Sequence, residues 1–158
     1  MPSALIGNSI GQVFFQEATK EKQLTGKAIH SFSSTLKKLI IIGIPSFGVL
    51  FFIVEDLFAF IFGEDWRIAG VYAQVMVPVF FIRFISSTVS SINIVFEKQK
   101  IGLYINILLM FSSIIILYMS EIIMLDFTDF LSFLSIILTL EYSMFLYYYS
   151  KLSKGLSK

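Results

Sequence analysis

The sequence predicts an all-α integral membrane protein, a bundle of about five transmembrane helices with interfacial amphipathic helices. Hydrophobic residues make up 56% of the 158 positions, 18 of them phenylalanine, and only 15% of positions are charged. The mean hydropathy is +0.83. A soluble domain of this size has too much surface to bury that much apolar area. The lipid bilayer is therefore the predicted surrounding, and the whole chain is read as a single membrane domain, residues 1–158.

Charge and cysteine content exclude several classes of site. The formal net charge is +1, so no overall positive field points to nucleic acid, and no nucleic-acid partner is expected. The chain contains no cysteine, which excludes disulfides, zinc clusters and thiol nucleophiles. We expect neither a cofactor nor a metal site.

Hydropathy divides the chain into candidate membrane spans, and a span needs about 20 residues to cross roughly 30 Å of hydrocarbon. The candidates are residues 2–18, 36–62, 69–96, 101–120 and 127–149. The last four are long enough outright. The first is short and polar, and it qualifies only if it continues as far as Ala18. A lysine-rich, solvated segment is expected to follow it.

The basic residues alternate between the segments that connect these spans. Taken in order, the four connections and the tail carry 5, 1, 2, 0 and 3 lysines or arginines. Because Lys and Arg remain on the cytoplasmic side, the first, third and last of these segments are predicted to be inside. The N-terminus is then outside and the C-terminus is cytoplasmic, as an odd number of spans requires.

Two segments are predicted to lie at the membrane interfaces. Apolar residues recur at helical spacing before the second span, which predicts an amphipathic helix lying on the inner interface: Ala28, Ile29, Phe32, Leu36, Leu39 and Ile40. The segment "EDLFAFIFGEDW" is the outer counterpart, with Trp66 at headgroup level and Gly63 allowing a sharp turn. Its acidic pairs either hold a cation or only mark the outer face and the start of the next helix.

The first span has one polar face. Asn8, Gln12 and Gln16 follow each other at four-residue steps, so they share a side of the helix. Gly7 and Gly11 form a small-residue step that lets another helix approach closely. The amide face either bonds to neighbouring helices or lines a wet cavity, and the sequence leaves both open.

Arg83 is the most informative polar residue, because it lies near the middle of the third span. Ser86, Ser87 and Ser90 follow on the same stripe, with Asn93 at its margin. An arginine at mid-membrane costs at least about 2.5–3.5 kcal/mol, so it is expected to face an aqueous path or an anionic ligand. The alternative is an ion pair with Glu141, which the fifth span places at a similar depth.

The stretches "IGNSIGQVFFQEATKEK" and "FGEDWRIAGVYAQVMVPVFFIRFISSTVS" resemble the polysaccharide biosynthesis membrane proteins. These are the O-antigen and exopolysaccharide flippases of the multidrug/oligosaccharidyl-lipid/polysaccharide exporter superfamily. The resemblance implies part of a two-lobe exporter of about twelve helices in the cell inner membrane. It further implies transport of an undecaprenyl-diphosphate-linked oligosaccharide for surface polysaccharide such as lipopolysaccharide. Arg83, the three serines after it and the amides of the first span are then candidates for the substrate cavity.

A complete member of that family has an N-terminal lobe and one more helix before this segment. The resemblance therefore implies a fragment of a full flippase, whose partners are the bilayer, the lipid-linked oligosaccharide and the missing N-terminal lobe or a second membrane subunit. The alternatives are a drug or cation antiporter fragment of the same superfamily, or a non-functional remnant or structural membrane subunit. No enzymatic activity is expected, because the inner loops lack paired acids in a transferase pattern.

Overall fold

The computed structural model describes residues 2–156, with the backbone alone for residues 2–8. It is all-α and contains five long helices and one short one. In chain order these are α1 (Pro2–Thr25), α2 (Ile29–Phe62), α3 (Arg67–Val89), the short α4 (Ile92–Val95), α5 (Gln99–Ile123) and α6 (Phe127–Ser153). A 3₁₀ turn, Glu64–Trp66, joins α2 to α3.

Within residues 2–156, four segments are long and apolar enough to cross a membrane: Ile29–Phe62, Glu64–Val95, Gln99–Ile123 and Phe127–Ser153. The chain is thus a multi-pass membrane protein by the length and composition of its helices. Helix α1 has 24 residues and a length of about 36 Å at 1.5 Å per residue, but it is too polar to join this set. Its membrane crossing, and with it the outside N-terminus, stays a prediction.

Helix α1 does not end with the predicted span at residue 18, and the lysine-rich segment after it is helical and largely exposed. Helix α1 continues to Thr25. The hydroxyl of Thr19 donates to the Phe15 carbonyl at 2.7 Å, and that of Thr25 donates to the Glu21 carbonyl at 2.9 Å. Gly26, with φ of 73°, then ends the helix. Lysines and glutamates are good helix formers, so a charged segment needs no loop.

A separate interfacial helix before the second span is also not observed. Helix α2 is continuous over 34 residues, and Glu55 to Phe62 form its last turns. The predicted stripe is buried at Ala28, Phe32 and Leu39, within the core of the bundle. The predicted helical spacing is correct, but the apolar stripe packs against other helices of the bundle and not against the membrane interface. The sharp turn at Gly63 is confirmed by its φ of 99°.

The third predicted span is broken. Helix α3 ends at Val89 and α4 begins at Ile92. Near the break, Thr88 and Ser90 donate their hydroxyls to carbonyls of the preceding turn, Thr88 to Phe84 at 2.7 Å and Ser90 to Ser87 at 2.7 Å. The backbone tightens as well, because the Asn93 amide donates to the Ser90 carbonyl at 3.1 Å. The backbone hydrogen bonds at the break thus span three residues instead of four, as in a 3₁₀ turn, and the regular α-helix ends there.

Helix α3 occupies the centre of the bundle and packs on α1, α2 and α6. Two glycines allow close approaches to the backbone of a neighbouring helix. A side-chain carbon at Gly70 would lie 2.6 Å from the Cα of Glu55 in α2, and one at Gly11 would lie 3.3 Å from the Thr88 carbonyl oxygen in α3. The small-residue contact predicted for the first helix is thus observed at Gly11. Helix α5 is peripheral, and none of its residues is buried.

Helices α3 and α6 run parallel. The rings of Tyr72 and Phe127, near the two helix starts, are 4.7 Å apart. Further along, the Ser135 hydroxyl donates to the Val75 carbonyl at 2.8 Å. The parallel arrangement brings corresponding turns of the two helices to one depth.

The lysine-bearing segments lie at one end of the bundle, and the acidic turn between α2 and α3 lies at the other. At one end, the Lys22 ammonium donates to the Val95 carbonyl at 2.6 Å, and the Ala28 amide donates to the Ser153 carbonyl at 2.8 Å. This joins the three lysine-bearing segments. The other end carries the acidic turn between α2 and α3. The separation of charge along the bundle agrees with the alternation seen in the sequence.

Candidate ligand cavity

An open polar cavity of about 450 Å³ lies between α3, α4, α5 and α6. Its lining includes the four residues predicted from the third span: Arg83, Ser86, Ser87 and Ser90. It also includes five polar residues that were not predicted as site residues: Asn93, Gln99, Asn106, Tyr142 and Tyr149. The volume is within the range of pockets that hold a small organic ligand.

Arg83 supplies the positive charge of this cavity. Its side chain is exposed to the cavity opening, and within residues 9–156 it forms no salt bridge. The guanidinium of Arg67, the nearest arginine along the chain, has carboxylate partners. Among the described residues, no carboxylate offsets the Arg83 guanidinium, so its five N–H donors remain for another group.

The serines on the same stripe do not all offer donors. Ser87 donates to the Phe84 carbonyl at 3.4 Å, and Ser90 donates to the Ser87 carbonyl at 2.7 Å. Their hydroxyl protons are therefore bonded to backbone carbonyls of the helix, and their oxygens remain as acceptors toward the cavity. Ser86 is only 3% exposed, at the back of the lining.

The possible ion pair between Arg83 and Glu141 is not formed. Val75 of α3 and Ser135 of α6 are hydrogen-bonded and therefore lie at one depth. Six residues further along, α6 reaches Glu141 and α3 reaches a position two residues before Arg83, so the predicted agreement in depth holds. Arg83 lines the cavity, whereas Glu141 is not among its lining residues. Glu141 accepts a hydrogen bond from Ser112 of α5 at 3.0 Å. The sequence placed both residues at one depth but contained nothing on rotation about the helix axis.

Two of the predicted amides of the first helix are not part of this cavity. Gln12 and Gln16 are exposed on α1 and do not line it. The side chain of Asn8 lies outside the described residues. The two glutamines therefore present a polar face on the outside of the described bundle.

Asn93 lines the cavity, although the sequence placed it only at the margin of the stripe that begins at Arg83. It is 4% exposed, and its side-chain oxygen Oδ1 has no hydrogen-bond partner in the described part of the chain. The available signal was the set of amides around the "EKQK" turn, with Asn93 before it, Gln99 within it and Asn106 after it. The break after α3 turns these amides toward the same space.

The acidic pairs at the other end of the bundle hold a cation supplied by the chain. The Arg67 guanidinium binds Glu64 through two nitrogens, at 2.8 and 3.0 Å. It also donates to Asp56 at 2.6 Å and to Glu55 at 3.2 Å. This cluster ties the turn to the end of α2 and lies apart from the cavity.

Comparison of the chain with protein-family models, curated proteins and solved structures found no match. The flippase resemblance accordingly rests on the motifs quoted above.

Proposed function

We propose that the chain takes part in moving an undecaprenyl-diphosphate-linked oligosaccharide across the cell inner membrane, as the C-terminal part of a flippase for surface polysaccharide. The observation that carries the proposal is the Arg83 guanidinium, which lies on the wall of a polar cavity between apolar helices and has no carboxylate partner within residues 9–156. The resemblance of the quoted motifs to flippases supports the same reading.

The chemistry of a diphosphate suits this cavity. The planar fork of a guanidinium binds phosphate oxygens through two N–H groups at once, and the surrounding low dielectric strengthens that bond. A charge at this depth is costly when it faces lipid. An anionic ligand that enters and leaves would offset part of this cost during each transport cycle.

The proposal includes further membrane helices beside α1. The exposed amides of Gln12 and Gln16 would be costly in lipid, and a neighbouring lobe or a second membrane subunit would supply partners for them. The membrane orientation in the proposal is that of the lysine pattern, with the C-terminus in the cytoplasm.

The decisive test replaces Arg83 in a chain joined to the N-terminal lobe of a related flippase. Surface polysaccharide in a flippase-null strain is the readout, and the amount of protein in the membrane is measured in parallel. Arg83→Ala is expected to abolish transport without loss of protein, and Arg83→Lys to retain part of it, because the charge remains and the fork is lost. Lys38→Ala, an exposed cation outside the cavity, is the matched control and should transport normally.

A double variant separates binding from helix locking. If Arg83 acts only by pairing with Glu141 in some other state, Arg83→Ala combined with Glu141→Gln should recover transport. Such recovery would contradict the ligand role. Continued loss of transport in the double variant supports it.

An antiporter is the second candidate, and one observation favours it. Glu141 is a partly buried carboxyl between α5 and α6, with the Ser112 hydroxyl as its partner. An exchanger needs such an acid to carry a proton or a cation. In the test above, loss of transport in Glu141→Gln with normal transport in Arg83→Ala would favour exchange over diphosphate transport.

A further inference from the structure

We infer that Asn93 is a specificity-determining residue of the Arg83 cavity, whose buried side-chain carbonyl accepts a hydrogen bond from the sugar attached to the diphosphate. The inference rests on the proposed function and adds a requirement to it. The ligand must carry a hydrogen-bond donor, a hydroxyl or an amide N–H, next to its anion.

The state of the Asn93 side chain is the main argument. Both backbone groups of this residue are used, because its N–H donates to the Ser90 carbonyl at 3.1 Å and its carbonyl accepts from the Lys98 amide at 2.7 Å. The side-chain oxygen is buried and has no partner among residues 9–156. Leaving such an acceptor unpaired is costly. A ligand in the cavity that donates to this oxygen removes the cost.

The surrounding structure holds the amide in place. A side-chain carbon at Gly102 would lie 3.4 Å from the Asn93 Nδ2, so the start of α5 packs directly against the amide. The Lys22 ammonium fixes the same turn through the Val95 carbonyl. The acceptor is therefore already oriented, but its oxygen is covered, and a ligand reaches it only when the neighbouring side chains move aside.

The chemistry of the acceptor limits the class of ligand. An ionised diphosphate carries acceptors only, so it can bind Arg83 but offers nothing to a carbonyl oxygen. A sugar carries hydroxyls, and an N-acetylated sugar also carries an amide N–H. Arg83 and Asn93 are ten residues apart, about 15 Å if the helix were unbroken, so one ligand in contact with both must extend beyond its phosphates.

The test measures binding of two probes to the full chain in detergent by titration calorimetry. Farnesyl diphosphate carries the anion alone, and farnesyl-diphospho-N-acetylglucosamine carries the anion and the donors. The wild-type chain is expected to bind the sugar-bearing probe about tenfold more tightly. Asn93→Ala removes the amide without adding bulk beside Gly102, and it is expected to bind both probes with the affinity of the bare diphosphate.

Two further variants serve as references. Arg83→Ala is expected to weaken the binding of both probes by the same factor. Thr139→Val is the matched control, because the Thr139 hydroxyl is also buried without a partner among the described residues but does not line the cavity. It should leave both affinities unchanged.

The outcomes separate this inference from the proposed function. Equal binding of the two probes by the wild type, or a preference that survives in Asn93→Ala, overturns the role of Asn93, while dependence of both probes on Arg83 leaves the proposed function standing. An equal loss of affinity for both probes in Asn93→Ala also overturns it, because the Asn93 amide would then be donating a hydrogen bond to the diphosphate. Binding that does not depend on Arg83 for either probe overturns the proposed function and this inference together.

Discussion

The carboxylate of Glu21 in α1 caps the first turn of α2 through Ser31. It accepts hydrogen bonds from the Ser31 amide at 2.7 Å and the Ser31 hydroxyl at 2.6 Å, and a third from the His30 amide at 2.9 Å. Ala28, at the cap position, has no side-chain bond of its own. A glutamate ten residues earlier therefore satisfies N–H groups that the helix itself leaves free and complements the positive end of its dipole.

Replacement of Glu21 by glutamine is expected to destabilise the junction of α1 and α2. An amide keeps one acceptor oxygen but loses the charge and the second oxygen, and loss of a helix cap costs about 1 kcal/mol. Thermal unfolding in detergent at pH 7 measures the effect. Glu17→Gln, an exposed residue one turn earlier on α1, is the control and should unfold like the wild type.

The same pair predicts a pH dependence. Burial raises the pKa of Glu21, but the hydrogen bonds from the Ser31 hydroxyl and from the Ser31 and His30 amides outweigh burial, so the pKa lies below the ordinary value of 4.5. A depressed pKa means that the stabilisation is present above pH 4.5 and is lost as the pH falls through the folded-state pKa. The difference in melting temperature between wild type and Glu21→Gln should therefore shrink below pH 4.5. A constant difference down to pH 3 would contradict the cap.

Gly70→Ala is expected to separate α2 from α3 at the acidic end of the bundle. The added methyl would lie 2.6 Å from the Glu55 Cα and 2.9 Å from its carbonyl oxygen, and these backbone atoms cannot rotate away. Overpacking of this kind costs about 1–3 kcal/mol. Gly48→Ala is the matched control, since nothing lies within 4 Å of its added carbon. If both variants melt at the wild-type temperature, the close approach is wrong.

Lys22→Met is expected to loosen the turn between α4 and α5. Methionine keeps much of the apolar stem near the Phe96 ring but cannot donate to the Val95 carbonyl, and a hydrogen bond from a charged donor contributes about 1.5 kcal/mol or more. Hydrogen exchange at the Glu97 and Lys98 amides should quicken. Glu97→Gln is the control: this carboxylate is 84% exposed and 3.5 Å from the ammonium, so its loss should have little effect.

Reporter fusions test the orientation of the bundle. A reporter after Lys158 is expected to be active in the cytoplasm, and one inserted at Gly63 is expected to be active outside. The reason is that the lysine-bearing ends of the helices lie together and the Arg67 cluster lies at the other end. Activity of the Lys158 fusion on the outer side would contradict the predicted five-span topology.

Hydropathy and length sufficed to predict the all-α membrane class and four of the long helices, because a helix that faces lipid must be apolar over most of its length. The stripe of Arg83 and the three serines was also predicted, since positions three and four apart share a helix face whatever the helix packs against. Helix ends were less well predicted. Charged residues continue a helix as readily as they end one, and α1 therefore runs on to Thr25.

The tertiary structure decided how each helix is rotated about its axis and which neighbour each side chain contacts. The sequence placed Arg83 and Glu141 at one depth, but only the packing of α5 beside α6 directs Glu141 to Ser112 and leaves Arg83 on the cavity wall. The break after Val89 likewise turns Asn93 into the cavity, where a continuous helix would have carried it past. Periodicity within one helix specifies which residues share a face, but it contains no information on which neighbour that face meets. That choice depends on close approaches such as the one at Gly70, which are contacts between segments far apart in the chain.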